Sequence, residues 1–386
     1  MNITLTDEQQ AIAESARDFL NEHGTSKRLR AAIESEDGWD REQWHAMAVE
    51  MGWLGVAAPE RFGGSELGLI ELALLHEETG RTLTAAPLFP TLGLALPALM
   101  GAGCEAIQSR FLPRLVEGDI RAAVCLTGKS GAPLPADAPC TIRREGTGWV
   151  LDGQADYVLM GHAANLLVVV ARSEDTTGWD GLSLVALDAD TAGIAVERLT
   201  SLDPTRPFSR IRFDNVLVDD TAIVGPVGKA EPAIRRMLAV GTVMLAAEQL
   251  GGAERVMEMS TEYAKQRVQF GRVIGSFQAI KHKLADMMMA VESARSALSY
   301  AVRLLDVPDA MEEAAAIAGA SCSEAFMQCA ADTIQIHGGI GFTWEHDAHL
   351  YFKRARTSAT VLGTPSHHYD VVAREMGLIN FVGTQA

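Results

Sequence analysis

Apolar residues recur at three- and four-residue spacing through the first part of the chain. Ile12, Ala16, Phe19 and Leu20 form one such face, and the preceding Thr6-Asp7-Glu8-Gln9 fits a capped helix start. Trp44, Met47, Met51 and Leu54 keep helical spacing until Arg61-Phe62-Gly63-Gly64 breaks it. Ile70 to Glu78 and Phe111 to Glu117 predict further helices. From about Ala122 to Val224 the texture changes to short β-rich runs: GWVLDG, NLLVVVA, LSLVALD and SRIRFDNVLV. Turn residues lie between the runs, and the absence of intervening helices predicts an antiparallel barrel or sandwich rather than parallel βαβ units. From about Lys229 helical spacing returns in longer stretches. Phe277, Ile280, Leu284, Met287, Val291, Ala294, Leu298, Ala301 and Leu305 make a seam for a neighbouring helix. The run Met287-Met288-Met289 within it reads as core filler.

The pattern predicts an α+β multi-domain chain. Its parts are an N-terminal α-helical domain (1–120), a central β-barrel or sandwich (121–226) and a C-terminal four-helix bundle (227–386). Composition adds exclusions. The 386 residues carry a formal net charge of −17, which argues against nucleic acid, whose phosphates need a basic surface. No apolar run reaches the roughly 18 residues of a membrane span. The start MNITLTDEQQ lacks the basic and apolar regions of a secretory signal. Cys104, Cys125, Cys140, Cys322 and Cys329 show neither CxxC nor zinc spacing, so reduced, mostly buried thiols in a cytoplasmic protein are expected.

Three stretches carry candidate chemistry. In YAKQRVQFGRVIGSFQ a helix is expected to end near Phe270, Gly271 to break it and Ser276 to cap the next. Arg267 and Gln278 then flank one connection, the first with a planar fork suited to phosphate. In QIHGGIGFTWEHD a helix runs into His337-Gly338-Gly339, where the backbone can approach a ligand closely. In TVLGTPSHH, Thr364 and Ser366 offer caps and Pro365 suits a first helical turn. The adjacent His367 and His368 diverge on a helix, and His346 with His349 lacks an evident carboxylate partner. Capping or solvated histidines are expected, and no metal.

The helical–β–helical order, with YAKQRVQFGRVIGSFQ, QIHGGIGFTWEHD and GWLGVAAPERFGGSELG, resembles the acyl-CoA dehydrogenase family of flavoproteins over nearly the whole chain. The resemblance implies FAD held at a subunit interface of a dimer or tetramer. It implies Arg267 on the FAD pyrophosphate with Phe270 and Gln278 nearby. Gln335, Gly338 and Gly339 would meet the adenosine-pyrophosphate part of an FAD bound mainly by a neighbouring subunit, and Thr364 would lie close to the cofactor. In CLTGKSGAP, Thr127 matches the family's Thr-Glu pair, but Gly128 replaces the glutamate and a Gly-Ser-Asp segment is absent. DYVLMG supplies Tyr157 for an aromatic against the flavin ring, and Leu159 where a threonine hydroxyl is usual.

The reaction so implied removes a proton α to a thioester while hydride leaves the β carbon, with a carboxylate as general base. The family's two base positions fall on Leu362 and Gly241, neither of which can accept a proton. Glu248 is the weak candidate that remains, seven residues beyond Gly241 on the same helix face but about 10 Å along the axis; an ion-pair role suits it better. Glu345 and Asp347 have no motif behind them. The expected function is α,β-dehydrogenation of an acyl-CoA thioester, with a bulky or branched acyl group, passing electrons to an electron-transfer flavoprotein. The alternatives are a non-catalytic partner subunit of a hetero-oligomeric enzyme and a related flavin oxidase or monooxygenase.

Overall fold

The structure, a computed structural model, describes residues 4–131 and 134–378. Helices α1 (Asp7–His23), α2 (Ser26–Glu34), α3 (Arg41–His45), α4 (Leu69–Arg81), α5 (Leu96–Gly101) and α6 (Glu105–Val116) come first. Strands β1 (Ala122–Cys125), β2 (Cys140–Glu145), β3 (Gly148–Leu159), β4 (Leu166–Ser173), β5 (Leu182–Asp188), β6 (Ile194–Leu199), β7 (Phe208–Val218) and β8 (Ile223–Val224) follow. Then come α7 (Glu231–Gln266), the short β9 (Val268–Gln269) and β10 (Arg272–Val273), α8 (Gln278–Val302), α9 (Met311–His337), α10 (Ala348–Ser358) and α11 (Pro365–Glu375). The order is therefore helical, β, helical. No helix among the described residues is long and apolar enough to cross a membrane.

Contacts group the chain into two compact units. The helical unit takes α1, Ala73–Thr84 and the chain from Thr242 onward. Its first helix starts on a capping box: Thr6 accepts from the Gln9 N–H while the Gln9 side chain accepts from the Thr6 N–H. The seam of α8 is buried from Met287 onward, through Val291, Ala294, Leu298 and Ala301, while Phe277, Ile280 and Leu284 before it are only half-buried. Met288 and Met289 are exposed, so only the first methionine of the run is core filler. The reason is the helical period, which turns each successive side chain by about 100°. Two glycines set the crossing of α4 and α7. A Cβ on Gly80 would lie 2.0 Å from the Glu248 carbonyl oxygen, and one on Gly251 would lie 1.8 Å from that of Glu77. The two backbones are in direct contact there.

The other unit combines Lys27–Leu72 with Ala85–Gly241. Its sheet runs β6-β7-β3-β2-β4-β5-β8, with β1 paired to β4. Most pairings are antiparallel, but β1–β4 and β2–β4 are parallel, so the sheet is mixed. Cys125, Ile142, Leu151, Leu167, Val185, Ile211 and Phe213 belong to its apolar core. The spacing from Trp44 to Leu54 does not form one helix: α3 passes into a π turn (Ala46–Glu50), and Gly52 at φ 65° starts a 3-10 turn (Trp53–Gly55). Trp44, Met47 and Leu54 are still buried and Met51 half-buried, because tertiary packing and not helix length sets their burial. The five cysteines are free thiols, all buried except the half-buried Cys104, and burial raises the pKa of Cys125, Cys140 and Cys322 far above the usual thiol range.

Candidate cofactor and active-site residues

Within the helical unit, α7 ends at Gln266 and the chain turns back through the β9–β10 hairpin. Phe270 and Gly271 are its two turn residues, both at positive φ (53° and 77°), the backbone of a two-residue hairpin turn. The helix therefore stops four residues before Phe270. Ser276 does not cap α8: its hydroxyl donates to the Val273 carbonyl, and the cap position belongs to Phe277. The turn leaves the Phe270 ring 92% exposed, edge-on to Phe277 at 6.1 Å. Arg267 sits at the hairpin's base, its N–H donating to Tyr263 and its carbonyl accepting from Ile274. Its exposed guanidinium makes no hydrogen bond or ion pair among the described residues. Gln278 is exposed as the first residue of α8.

At the end of α9, Gln335, Gly338 and Gly339 are also exposed, and a Cβ on either glycine would meet nothing within 4 Å. The neighbouring histidines are structural. His337 stacks on Tyr263 at 4.3 Å and is held by the Thr333 carbonyl; His346 accepts from the Ala348 N–H at the start of α10; His349 stacks on Trp344.

The turn before α11 has Leu362 at φ 59° and Gly363 at φ 122°. Thr364 then caps the helix, accepting from the His367 N–H, and Pro365 takes the first helical position. His368 is buried where Gly319 makes room for it: a Cβ there would lie 2.8 Å from the ring Nε2 and 2.9 Å from Thr242 Cγ2. Burial, with help from His367, lowers its pKa to about 4. Its imidazole is neutral in the fold but titrates near 6.5 when unfolded, so its stabilisation is complete above that pH and lost as pH falls through about 4, worth about 3 kcal/mol. The stability lost between pH 7 and pH 4, read by denaturant unfolding, should be smaller by that order in His368→Gln. Equal losses in the two proteins would refute the assignment.

Glu248 lies inside the same unit, buried on α7. Its carboxylate is 3.8 Å from His76 Nδ1 and 4.0 Å from an Arg354 guanidinium nitrogen. Asp347 accepts from the Ser26 hydroxyl, and Glu345 is exposed.

In the other unit, β3 bulges against β7 between Ala155 and Val158. The extra residue turns Tyr157 out of the sheet at φ 56°, and its ring is 58% exposed. Asp156 stays inside, pairing with Arg210, and its N–H donates to the carbonyl of half-buried Thr127. Leu159 is buried. Beyond Thr127 the structure adds a residue that sequence reasoning missed. The Asp137 carboxylate lies directly over Gly128, its Oδ1 2.4 Å from where a Cβ would be, and Oδ2 accepts from the Ser130 N–H at 2.8 Å. Gly241, at this unit's end of α7, is buried.

These surroundings fit FAD by the chemistry they present. Taken one by one, an exposed guanidinium with no partner among the described residues suits a pyrophosphate, open glycine backbone permits close approach, and the exposed rings of Phe270 in one unit and Tyr157 in the other each offer an aromatic face. The sequence matches the acyl-CoA dehydrogenase N-terminal domain over residues 6–119 and the acyl-CoA dehydrogenase C-terminal domain over residues 232–377. The chain belongs to the acyl-CoA dehydrogenase family, whose cofactor is FAD, and is an oxidoreductase acting on CH–CH bonds of acyl-CoA thioesters. Among curated proteins it is 34% identical to acyl-CoA dehydrogenase IpdE2 of Mycobacterium tuberculosis, over 94% of this chain and 95% of that protein. Among solved structures, a chain of the steroid ACAD Tcur3481-Tcur3483 G363A variant is 33% identical with a TM-score of 0.86, covering 97% of this chain and 99% of that one. A chain of the ChsE4-ChsE5 complex from Mycobacterium tuberculosis is 28% identical with a TM-score of 0.88, covering 98% and 100%.

Proposed function

We propose that this chain works as one subunit of a hetero-oligomeric acyl-CoA dehydrogenase whose sister chain supplies the carboxylate base. The substrate class is a CoA thioester with a bulky or branched acyl group, and the electrons pass to an electron-transfer flavoprotein. The observation that carries this reading is the fate of the carboxylates. The two positions assigned to the base by family resemblance hold Leu362 and Gly241, and Glu248 is engaged with His76 and Arg354. Structural relatives that include a chain of the ChsE4-ChsE5 complex and a chain of a steroid enzyme support pairing and a bulky substrate.

Bound FAD supplies the two-electron oxidant. In this reading Arg267 holds the pyrophosphate, with Phe270 and Gln278 beside it. Gln335, Gly338 and Gly339 face an FAD carried mainly by another subunit. In the same reading Thr127 and Tyr157 face the flavin, and Thr364 offers its hydroxyl to the cofactor.

The test is to purify the chain alone and with a co-expressed sister chain, record the flavin spectrum, and add acyl-CoA thioesters without oxygen. Bleaching only in the co-expressed assembly is expected. Equal bleaching by the chain alone would overturn the pairing, and rapid reoxidation in air would replace the acceptor protein by oxygen. Arg267→Ala should weaken FAD retention by about tenfold or more, as loss of charge-assisted hydrogen bonds to a phosphate does. Unchanged retention in equilibrium dialysis would remove Arg267 from the site.

A further inference from the structure

The loop after β1 offers no side chain at Gly128, yet the space above that residue is filled. Asp137 reaches back over it, with Oδ1, Cγ and Oδ2 at 2.4, 2.6 and 2.8 Å from the position a Cβ would take. No side chain can be added at 128 without evicting this carboxylate. Oδ2 accepts from both the N–H and the hydroxyl of Ser130. Gly131 closes the turn by donating to the Gly128 carbonyl, and a Cβ on Gly131 would lie 3.8 Å from the Tyr157 ring. At the other end, the Thr127 carbonyl is fixed by the Asp156 N–H. One carboxylate thus ties a five-residue turn, 127–131, against the strand bulge that turns Tyr157 outward.

We propose that Asp137 is a positioning residue for FAD: by filling the space over Gly128 and holding Ser130, it fixes the lip formed by Thr127 to Gly131 and Tyr157 in the shape that receives the flavin ring. This rests on the reading that Thr127 and Tyr157 face the flavin. The physical reason is preorganisation. An untied glycine-containing turn samples many backbone states, and ordering them on each binding event costs affinity. A carboxylate with two donors on one residue removes that freedom beforehand, and charge-assisted bonds of this kind are the strong ones.

The test uses the flavin-loaded protein, in whichever assembly retains FAD, and reads FAD dissociation together with the position of the flavin's visible absorption bands. Asp137→Ala should weaken FAD retention by about tenfold and shift the bands, because two charge-assisted hydrogen bonds are lost from the lip. Asp137→Asn keeps the shape and one acceptor and should restore most of the affinity. Gly128→Ala, which displaces the carboxylate without touching it chemically, should reproduce Asp137→Ala. The double variant should be no worse than either single one, as expected when both changes break one interaction. Tyr157→Ala is the control that separates the two readings. If it shifts the bands while Asp137→Ala and Gly128→Ala leave bands and retention unchanged, the role of Asp137 is refuted and the flavin-facing lip stands. If all three leave them unchanged, the lip itself is wrongly placed and the proposal falls with it.

Discussion

Leu362→Glu is expected to raise the rate at which an acyl-CoA thioester bleaches this chain's flavin by about a hundredfold or more, the usual contribution of a positioned general base. The substitution adds a proton acceptor at the position that family resemblance assigns to the base. It adds no backbone strain of its own. Leu362 already stands at φ 59°, a conformation about as unfavourable for an unbranched leucine as for a glutamate. The site is half-buried, and partial burial would raise the new carboxyl's pKa toward neutrality, where a base removing a carbon-bound proton works best. The measurement is anaerobic stopped-flow bleaching of FAD-reconstituted protein by butyryl-CoA and cyclohexanecarboxyl-CoA, with Leu362→Gln as the polar control. A glutamate variant that holds FAD and bleaches no faster than the glutamine variant would show that the turn does not face the thioester.

Glu248→Ala is expected to cost stability rather than chemistry. The carboxylate is buried beside His76 and Arg354, and removing one partner of a buried ion pair costs about 3 to 5 kcal/mol. Glu248→Gln keeps the volume and some hydrogen bonding and should cost less. Denaturant unfolding reads the loss directly, and the rate of flavin reduction in the still-folded fraction should change little. A variant within about 0.5 kcal/mol of the parent that has lost flavin reduction would reverse the conclusion and make Glu248 the base.

Much of this molecule is legible in its sequence because it rests on local physics. Thr6 and Gln9 announce the first helix through their spacing alone, and Thr364-Pro365 announces the last. The seam of α8 is readable because nine apolar residues keep one period. The hairpin between α7 and α8 is not, since strands of two residues are too short to show alternation, and Phe270 at positive φ follows no propensity. The parallel pairings of β4 escape for a different reason: strand neighbours are chosen by the whole sheet, not by any one strand's pattern. Asp137 is hidden for the same non-local reason. Nothing in PLPADAP signals that its acid folds back over a glycine nine residues earlier. Arg267, Gln278 and the His337-Gly338-Gly339 turn stand out by residue type and spacing, but only the resemblance ties them to FAD, because exposed glutamines and glycines carry no periodic signal.

The crossing at Gly80 and Gly251 has a consequence for how the helical unit finds its register. Each helix carries a notch, and each notch receives the partner's main chain: Gly80 that of Glu248, Gly251 that of Glu77. Sliding either helix by one turn, about 5.4 Å, would set a side chain where only a hydrogen fits. The alignment is therefore selected by exclusion, before any charge is considered. Once it is set, the residues next to the notches have no choice of neighbour. His76 meets Glu248, and Arg81 meets Glu254 and Glu258. Two missing methyl groups thus decide which side chains meet across the crossing.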